Sequence, residues 1–204
     1  MTTYLLFRHG NNDAVGKWFA GRSPGVHLND EGRLQAERIA DRFASAPIRA
    51  IYSSPLERAV ETAAPLAARI NIPVEADERL IEAGVGDWTR RSFAELNDDA
   101  NWVRFNKFRS SSAAPNGELA IDMQARMVRF LEDCRLRHPG ETIALFSHAD
   151  VIKAALLLYC GIPIDFTHRL QVYPGSVSVI TIDEESAQVL RINDTGLPFD
   201  FRRE

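Results

Sequence analysis

The sequence has 204 residues, 45% of them hydrophobic and 25% charged, with a net charge of −4 at pH 7. These values predict a single domain over residues 1–204, with a cap-like insertion at about 84–118. The negative charge argues against nucleic-acid and membrane-surface binding, so any anion must bind at a local site. The N-terminal residues lack a signal-peptide pattern, no apolar run approaches the ~18 residues of a membrane helix, and the two cysteines suit a reducing compartment. We therefore predict a cytoplasmic protein.

Strand and helix patterns alternate along the first half of the chain. Short apolar runs indicate buried strands, and apolar residues at near-helical spacing between charged ones indicate helices. Asp30 is the expected N-cap of the first helix, and Ser54 with Pro55 is the expected start of the second. In chain order, this half is predicted to form a strand at 3–7, a helix at 30–43, a strand at 49–54, a helix to about 70 and a short strand at 72–76.

The second half begins with a less regular segment. Residues 93–108 are predicted to be helical, and residues 109–118 to form a loop before a long helix that ends near Arg137. The remaining elements are a strand at 142–147, a buried helix that Gly161 ends, and a β-hairpin at 176–194. This alternation predicts an α/β fold, a three-layer α/β/α sandwich around a mainly parallel central sheet.

Three predicted strands lead into groups that are, or can become, positively charged. Arg8 and His9 follow the first strand, Arg58 lies in the helix after the second, and His148 follows the strand at 142–147. Ligands of open parallel sheets bind at the carboxyl ends of the strands, so we expect these side chains to converge. Like charges repel one another unless an anion lies between them, and arginine suits phosphate oxygens. The sequence therefore predicts a phosphate site.

The sequence also resembles the histidine phosphatase superfamily, which includes the cofactor-dependent phosphoglycerate mutases. Five blocks in the family's order carry the resemblance: LLFRHG at 5–10, LNDEGRLQA at 28–36, IYSSPLERAVETA at 51–63, LIEAGVGDW at 80–88 and SHADVIKAAL at 147–156. The resemblance implies a phosphoglycerate mutase-like fold.

The resemblance also implies roles for individual residues. His9 would attack phosphorus to form a phosphohistidine, and no metal or cofactor would be needed. Arg8, Arg58 and His148 would stabilise the phosphoryl oxygens and lower the pKa of His9, and Glu82 would protonate the leaving oxygen and then activate water. The expected substrate-binding residues are Gly10, Asn12, Gly21, Ser23 and Ala149.

Several of these residues have alternative interpretations. Arg58 is also placed to pair with an acidic neighbour at the surface, and Glu82 lies among other acidic residues. A zinc site made by His9, His148 and Glu82 is a further alternative, but adjacent arginines would repel a second cation and no compact metal motif is present.

The chain departs from the family pattern at several positions. Asn11 and Asn12 replace the usual Glu or Gln and Thr or Ser, and Val15 replaces a phosphate-contacting asparagine, for which Asn12 or Ser23 is the expected substitute. Basic residues are also frequent after Glu82. They are Arg90, Arg91, Arg104, Lys107 and Arg109. Two interpretations stay open for these residues: they belong to solvated helix faces, or they form a cap that favours substrates with extra negative charge.

Three functions are consistent with the residues. A metal-independent phosphatase acting on a small phosphorylated metabolite is favoured, because the segment between Glu82 and the long helix lacks the longer insertion of the mutases. A cofactor-dependent phosphoglycerate mutase and a non-catalytic phosphate-binding protein are the alternatives. A binding protein would have lost a catalytic residue, and none of the expected catalytic residues is missing from the sequence. The substrate and a homodimer through the apolar tail hairpin stay open.

Overall fold

The computed structural model describes residues 1–197, so the last part of the predicted domain, at 198–204, lies outside the described residues. Six strands form one sheet in the order β3-β2-β4-β1-β5-β6. Their bounds are β1 Thr2–Arg8, β2 Ile48–Ser53, β3 Val74–Ala76, β4 Thr142–Ser147, β5 Val177–Ile182 and β6 Ala187–Asp194.

Most neighbouring strands in this sheet are parallel. β3, β2, β4 and β1 form a continuous parallel array, while β5 runs antiparallel to both β1 and β6. The mainly parallel sheet and the C-terminal hairpin that the sequence predicts are both confirmed.

Helices cover both faces of the sheet and complete the three layers. Their bounds are α1 Asp30–Phe43, α2 Glu57–Ile70, α3 Phe93–Leu96, α4 Ala100–Lys107, α5 Ala120–Arg137 and α6 Ala149–Tyr159. Short 3-10 helices lie at Glu78–Leu80, Gly86–Trp88 and Ile164–Arg169. Within residues 1–197, no helix is long and apolar enough to cross a membrane.

The alternation of side chains along β1 explains how the two faces are filled. Tyr4 and Leu6 are buried in the core that α5 and α6 cover, whereas Leu5 and Phe7 are buried in the core under α1 and α2. Because both faces of the strand are covered, it needs a nearly continuous apolar sequence.

Three expected helix boundaries differ from the structure. Asn29, not Asp30, caps α1, and its side-chain oxygen accepts a hydrogen bond from Gly32 N at 3.0 Å. α2 begins at Glu57 rather than at Pro55, and its N-cap is Leu56, which makes no side-chain cap hydrogen bond. The helix expected at 93–108 is two helices, since Asp99 interrupts it and caps α4.

Residues 84–118 pack around a small cluster of their own. Four of their side chains are buried together: Trp88, Leu96, Phe105 and Ala114. Phe19, from the loop between β1 and α1, packs against this cluster, and its backbone exchanges hydrogen bonds with Arg90 and Arg91. The segment is thereby joined to the loop that follows the first strand.

Candidate active site

The predicted catalytic residues meet at one edge of the sheet. β4 lies between β1 and β2, and the three strands are parallel, so their carboxyl ends are adjacent. Arg8, His9, Arg58 and Glu82 line one pocket there, and the ring centroids of His9 and His148 are 5.2 Å apart. The fold thus brings together five groups from four separate parts of the sequence.

His9 is held with one ring nitrogen engaged. It is buried, and its Nδ1 lies 2.7 Å from the carbonyl oxygen of Gly10. A carbonyl oxygen only accepts hydrogen bonds, so Nδ1 carries the proton and Nε2 has the lone pair. Burial, then Arg8 and Arg58, lower the pKa of His9 well below its usual value. The imidazole is therefore neutral at pH 7, as a nucleophile requires.

Gly10 positions this histidine from behind. Its N–H donates to the Thr62 hydroxyl at 2.9 Å, and a Cβ at Gly10 would lie 2.6 Å from the carbonyl oxygen of Gly32. That approach between the loop and the first turn of α1 leaves no room for a side chain.

Two arginines enter the site with unpaired donors. Arg58 is 1% exposed, which excludes the surface ion pair considered above. Its Nη2 donates to the Gly21 carbonyl at 2.8 Å, while its Nε and Nη1 have no partner. Arg8 donates through Nη1 to the Val172 carbonyl at 2.6 Å, and its Nε is likewise unpartnered. Unpaired buried donors on charged groups are costly, and an anion in the pocket would satisfy them.

The second histidine is oriented by a serine that sequence reasoning missed as a site residue. His148 Nε2 lies 2.8 Å from the Ser54 hydroxyl, which itself accepts a hydrogen bond from Leu56 N. When the hydroxyl donates to Nε2, the ring proton is on Nδ1. His148 Nδ1 is buried without a hydrogen-bond partner, and the nearest Glu82 oxygen is 3.9 Å away. The signal for Ser54 was a hydroxyl directly after β2.

Glu82 is suited to carry a proton near neutrality. Its Oε1 accepts a hydrogen bond from Ala83 N at 2.8 Å. Burial, followed by the negative charge of Asp150, raises the pKa of Glu82 to about 7, against the opposing effect of Arg58 and Arg8. A carboxyl group with this pKa is substantially protonated at neutral pH and can act as an acid.

The predicted substrate-binding residues divide into two groups. Asn12, Gly21 and Ala149 line the pocket, as does Val15, whereas Gly10 and Ser23 do not. The Asn12 side-chain oxygen accepts a hydrogen bond from Ala14 N at 3.0 Å, which holds the loop turned toward the pocket. Of the two expected substitutes for the family asparagine, Asn12 is the one on the pocket wall.

The basic segment after Glu82 does not reach the pocket. None of its five cations is among the residues that line the pocket in the described part of the chain. Arg109 is buried, and its Nη1 lies 3.3 Å from Asp150 Oδ2. Arg91 is half-buried, and the other three are exposed: Arg90, Arg104 and Lys107. Asp150 itself lines the pocket, a position that sequence reasoning also missed although it comes two residues after His148.

The metal alternative finds no support in this geometry. Across residues 1–197, no three His, Cys, Asp or Glu side chains are grouped closely enough to hold a metal ion. The groups nearest His9 and His148 in the site include two guanidinium groups, which repel cations.

Known proteins resemble the chain over most of its length. The family description "Histidine phosphatase superfamily (branch 1)" matches residues 4–195. An uncharacterized protein of Mycobacterium tuberculosis is 37% identical over 156 residues, which cover 72% of this chain and 73% of that protein. Phosphoserine phosphatase 1 of Hydrogenobacter thermophilus is 27% identical over 202 residues, 96% and 93% of the two chains. The solved structure of Bacillus stearothermophilus YhfR has a TM-score of 0.88 at 30% identity and covers 95% of this chain and 98% of its own.

Proposed function

The chain belongs to the histidine phosphatase superfamily and is a phosphoric monoester hydrolase, and we propose that it hydrolyses small phosphate monoesters without a metal, through a phosphohistidine on His9. Its partner would be a small phosphorylated metabolite, the class of substrate on which the phosphoserine phosphatase relative acts.

One observation carries this proposal. A buried, neutral His9 with a free Nε2 shares a pocket with two arginines whose unpaired donors are buried. Packing offers no reason to bury three unpaired guanidinium nitrogens beside a nucleophile. A phosphoryl group supplies both an electrophile for Nε2 and acceptors for those nitrogens.

The reaction would take place in two displacements. His9 Nε2 attacks phosphorus, the bond from phosphorus to the ester oxygen breaks, and Glu82 gives its proton to the leaving alkoxide. Water then attacks the phosphohistidine, Glu82 takes a proton from that water, the P–N bond breaks, and inorganic phosphate leaves with His9 restored. The guanidinium groups of Arg8 and Arg58 and the Nδ1–H of His148 would bind the equatorial oxygens during both steps.

The pocket limits the size of the substrate. Its volume is about 170 Å³, less than the roughly 300–1,000 Å³ of pockets that hold drug-sized ligands. A phosphate group fills part of this space, so the pocket itself contacts only a small part of the substrate beyond the phosphate. The segment between Glu82 and α5 lacks the longer insertion expected of the mutases. Water can therefore reach the phosphohistidine, which favours a phosphatase over a mutase.

The test is hydrolysis of p-nitrophenyl phosphate in the presence of a metal chelator, by the natural protein, His9→Ala and His27→Ala. His27 is an exposed histidine paired with Glu61, so its loss is a matched control. We expect chelator-resistant turnover that falls by about 10³-fold or more in His9→Ala, as for loss of a covalent nucleophile, and is unchanged in His27→Ala.

Two further outcomes would contradict the proposal. Turnover that survives in His9→Ala would exclude His9 as the nucleophile. Phosphoglycerate isomerisation primed by bisphosphoglycerate, without net hydrolysis, would identify a mutase instead. Acid-labile, base-stable phosphate trapped on the protein during turnover, and absent from His9→Ala, would support the covalent step.

A further inference from the structure

The pocket wall is not uniformly polar. Five apolar side chains line it together with the groups that would hold phosphate: Val15, Trp18, Phe19, Val85 and Phe93. The only cations on the pocket wall within residues 1–197 are Arg8 and Arg58, which the phosphoryl group would occupy. A second anionic group on the substrate would therefore meet no free cation on this wall.

Within residues 1–197, the one charged side chain on the pocket wall without a role in the proposed reaction is the carboxyl group of Asp150. It lies in the first turn of α6, and its Oδ2 is 3.3 Å from Nη1 of the buried Arg109. Its Oδ1 has no hydrogen-bond partner among the described residues, and the side chain is 23% exposed, so it is accessible from the pocket.

This carboxyl group is ionised. Burial raises the pKa of Asp150, but the charges of Arg109 and Lys153 outweigh that effect and hold the pKa below its usual value. Neither of those two cations lines the pocket, so the substrate would meet the carboxylate first.

A carboxylate at this position opposes the binding of a phosphate dianion unless it also makes a favourable contact. The alcohol part of the substrate can supply that contact if it carries an N–H or O–H donor near the phosphate. Resting on the proposed function, we propose that Asp150 makes the pocket select phosphate monoesters of amino alcohols, and next of polyols, over those whose alcohol carries a second anionic group.

Three esters of equal chain length test this selectivity. Phosphoethanolamine, ethylene glycol monophosphate and phosphoglycolate differ mainly in the group on the second carbon, which is positive, neutral or negative at pH 7. We expect kcat/KM to decrease in that order, with about tenfold or more between the first and the last, as for a charge contact in a partly solvated site.

The matched variants are Asp150→Asn and Asp122→Asn. Both remove an aspartate from the first turn of a helix, but Asp122 lies on α5, is exposed and is not on the pocket wall. Asp150→Asn is expected to reduce the ratio between the first and last esters severalfold, and Asp122→Asn to leave it unchanged. Each ratio is taken within one variant, so any effect of the substitution that is common to the three esters cancels.

A fold check accompanies the kinetics, because Asp150→Asn leaves Arg109 buried without its ion partner. The double variant Arg109→Gln/Asp150→Asn removes the pair together and is expected to show the same reduced ratio. Equal kcat/KM values for the three esters in the natural protein, or the reversed order, would overturn the proposed selectivity. So would a ratio that stays unchanged in both Asp150→Asn and the double variant.

Hydrolysis of p-nitrophenyl phosphate separates the two proposals. If this ester is hydrolysed while the other three have equal kcat/KM values, only the selectivity is refuted. If neither this ester nor any of the other three is hydrolysed, the proposed function and the selectivity that rests on it are both refuted.

Discussion

Two histidines, His138 and His148, each lie within hydrogen-bond distance of a hydroxyl group on or just after β2, those of Tyr52 and Ser54. His138, after α5, has its Nε2 3.0 Å from the Tyr52 hydroxyl and its Nδ1 2.9 Å from a Glu141 oxygen. His148, after β4, has its Nε2 2.8 Å from the Ser54 hydroxyl, and its Nδ1 has no partner. Both ring nitrogens of His138 therefore have partners, whereas Nδ1 of His148 is buried without one.

The contrast shows how the surroundings of His138 differ from those of His148, for which we propose a role in catalysis. Around His138 the polar groups satisfy one another, so this region lowers the free energy of the folded state. Around His148 several donors of Arg8 and Arg58 are also unpaired, and this region lowers stability unless a ligand is bound. Unpaired buried donors therefore mark the site better than burial or residue type does.

Replacing Arg58 should have the largest effect and should move activity and stability in opposite directions. In Arg58→Met we expect kcat/KM to fall by about 10³-fold, the upper range for loss of one donor to a developing anion. Replacing a buried, poorly paired charge by an apolar chain should raise the free energy of unfolding by about 1–3 kcal/mol. Enzyme assays and denaturant unfolding measure the two quantities.

Arg79→Met is the control for this prediction. Arg79 is paired with Asp77 and Asp133, so its replacement should lower stability slightly and leave activity unchanged. Two variants that are destabilised alike would show that the donors of Arg58 are satisfied in solution, and the contrast between the regions would be lost.

Replacing Glu82 should have the second largest effect, and one that depends on the leaving group. In Glu82→Gln we expect kcat to fall by about 10²-fold for an alkyl phosphate, and much less for p-nitrophenyl phosphate, whose phenolate leaves without a proton. The natural enzyme should lose activity on the alkyl ester as pH rises through about 7, the pKa of Glu82, because the acid must be protonated. That pH limb should be absent from the variant.

The same pKa predicts a pH effect on stability. A carboxyl group whose pKa is raised from 4.5 to about 7 in the folded protein stabilises it fully below pH 4.5 and loses that contribution as pH rises through 7. Glu82→Gln should therefore gain stability over the natural protein mainly at high pH. In the kinetic experiment, an equal fall in kcat for the alkyl and p-nitrophenyl esters in Glu82→Gln, with the loss of activity above pH 7 unchanged, would mean that another group is the acid.

Replacing Ser54 should have the smallest effect on activity and tests the histidine comparison directly. Ser54→Ala removes the hydroxyl from His148, and Tyr52→Phe removes the hydroxyl from His138. Both should lower stability by about 1 kcal/mol, the value of one buried hydrogen bond. Only Ser54→Ala should lower kcat/KM, by about tenfold, because His148 would no longer hold its proton on Nδ1.

Nitrogen NMR of the histidine rings gives the readout that separates orientation from folding. The tautomer of His148 should become mixed in Ser54→Ala and stay fixed in Tyr52→Phe. Equal kinetic losses in both variants, with an unchanged His148 tautomer, would mean that Ser54 has only a structural role.

Much of the fold was predictable because it depends on local pattern. The apolar runs of β1 and β4 identified two strands, and the alternation near the C-terminus identified a hairpin, all of which the structure confirms. Helix starts were less predictable. Ser54 has the residue type of an N-cap, but its hydroxyl lies beside His148, 94 residues away, and α2 begins at Glu57 instead.

The candidate site was predictable to a similar degree. Residue types at the carboxyl ends of parallel strands were enough to expect that Arg8, His9 and His148 would meet. The role of Asp150 in the pocket wall was not predictable. The cations at 90–109 left open either solvated helix faces or a cap that favours anionic substrates. In the structure the buried one of these cations, Arg109, lies against Asp150, and Asp150 lines the pocket.

The sequence by itself determined the α/β class, the position of most elements and the set of residues that we propose to bind and accept a phosphoryl group. These depend on periodicity and on residue chemistry within a few positions along the chain. Tertiary structure alone decided which donors of Arg58 and His148 are unpaired, which hydroxyl orients His148 and which charge faces the substrate. Those properties depend on distances between remote residues, and a hydrogen bond is lost when such a distance changes by less than the width of one atom.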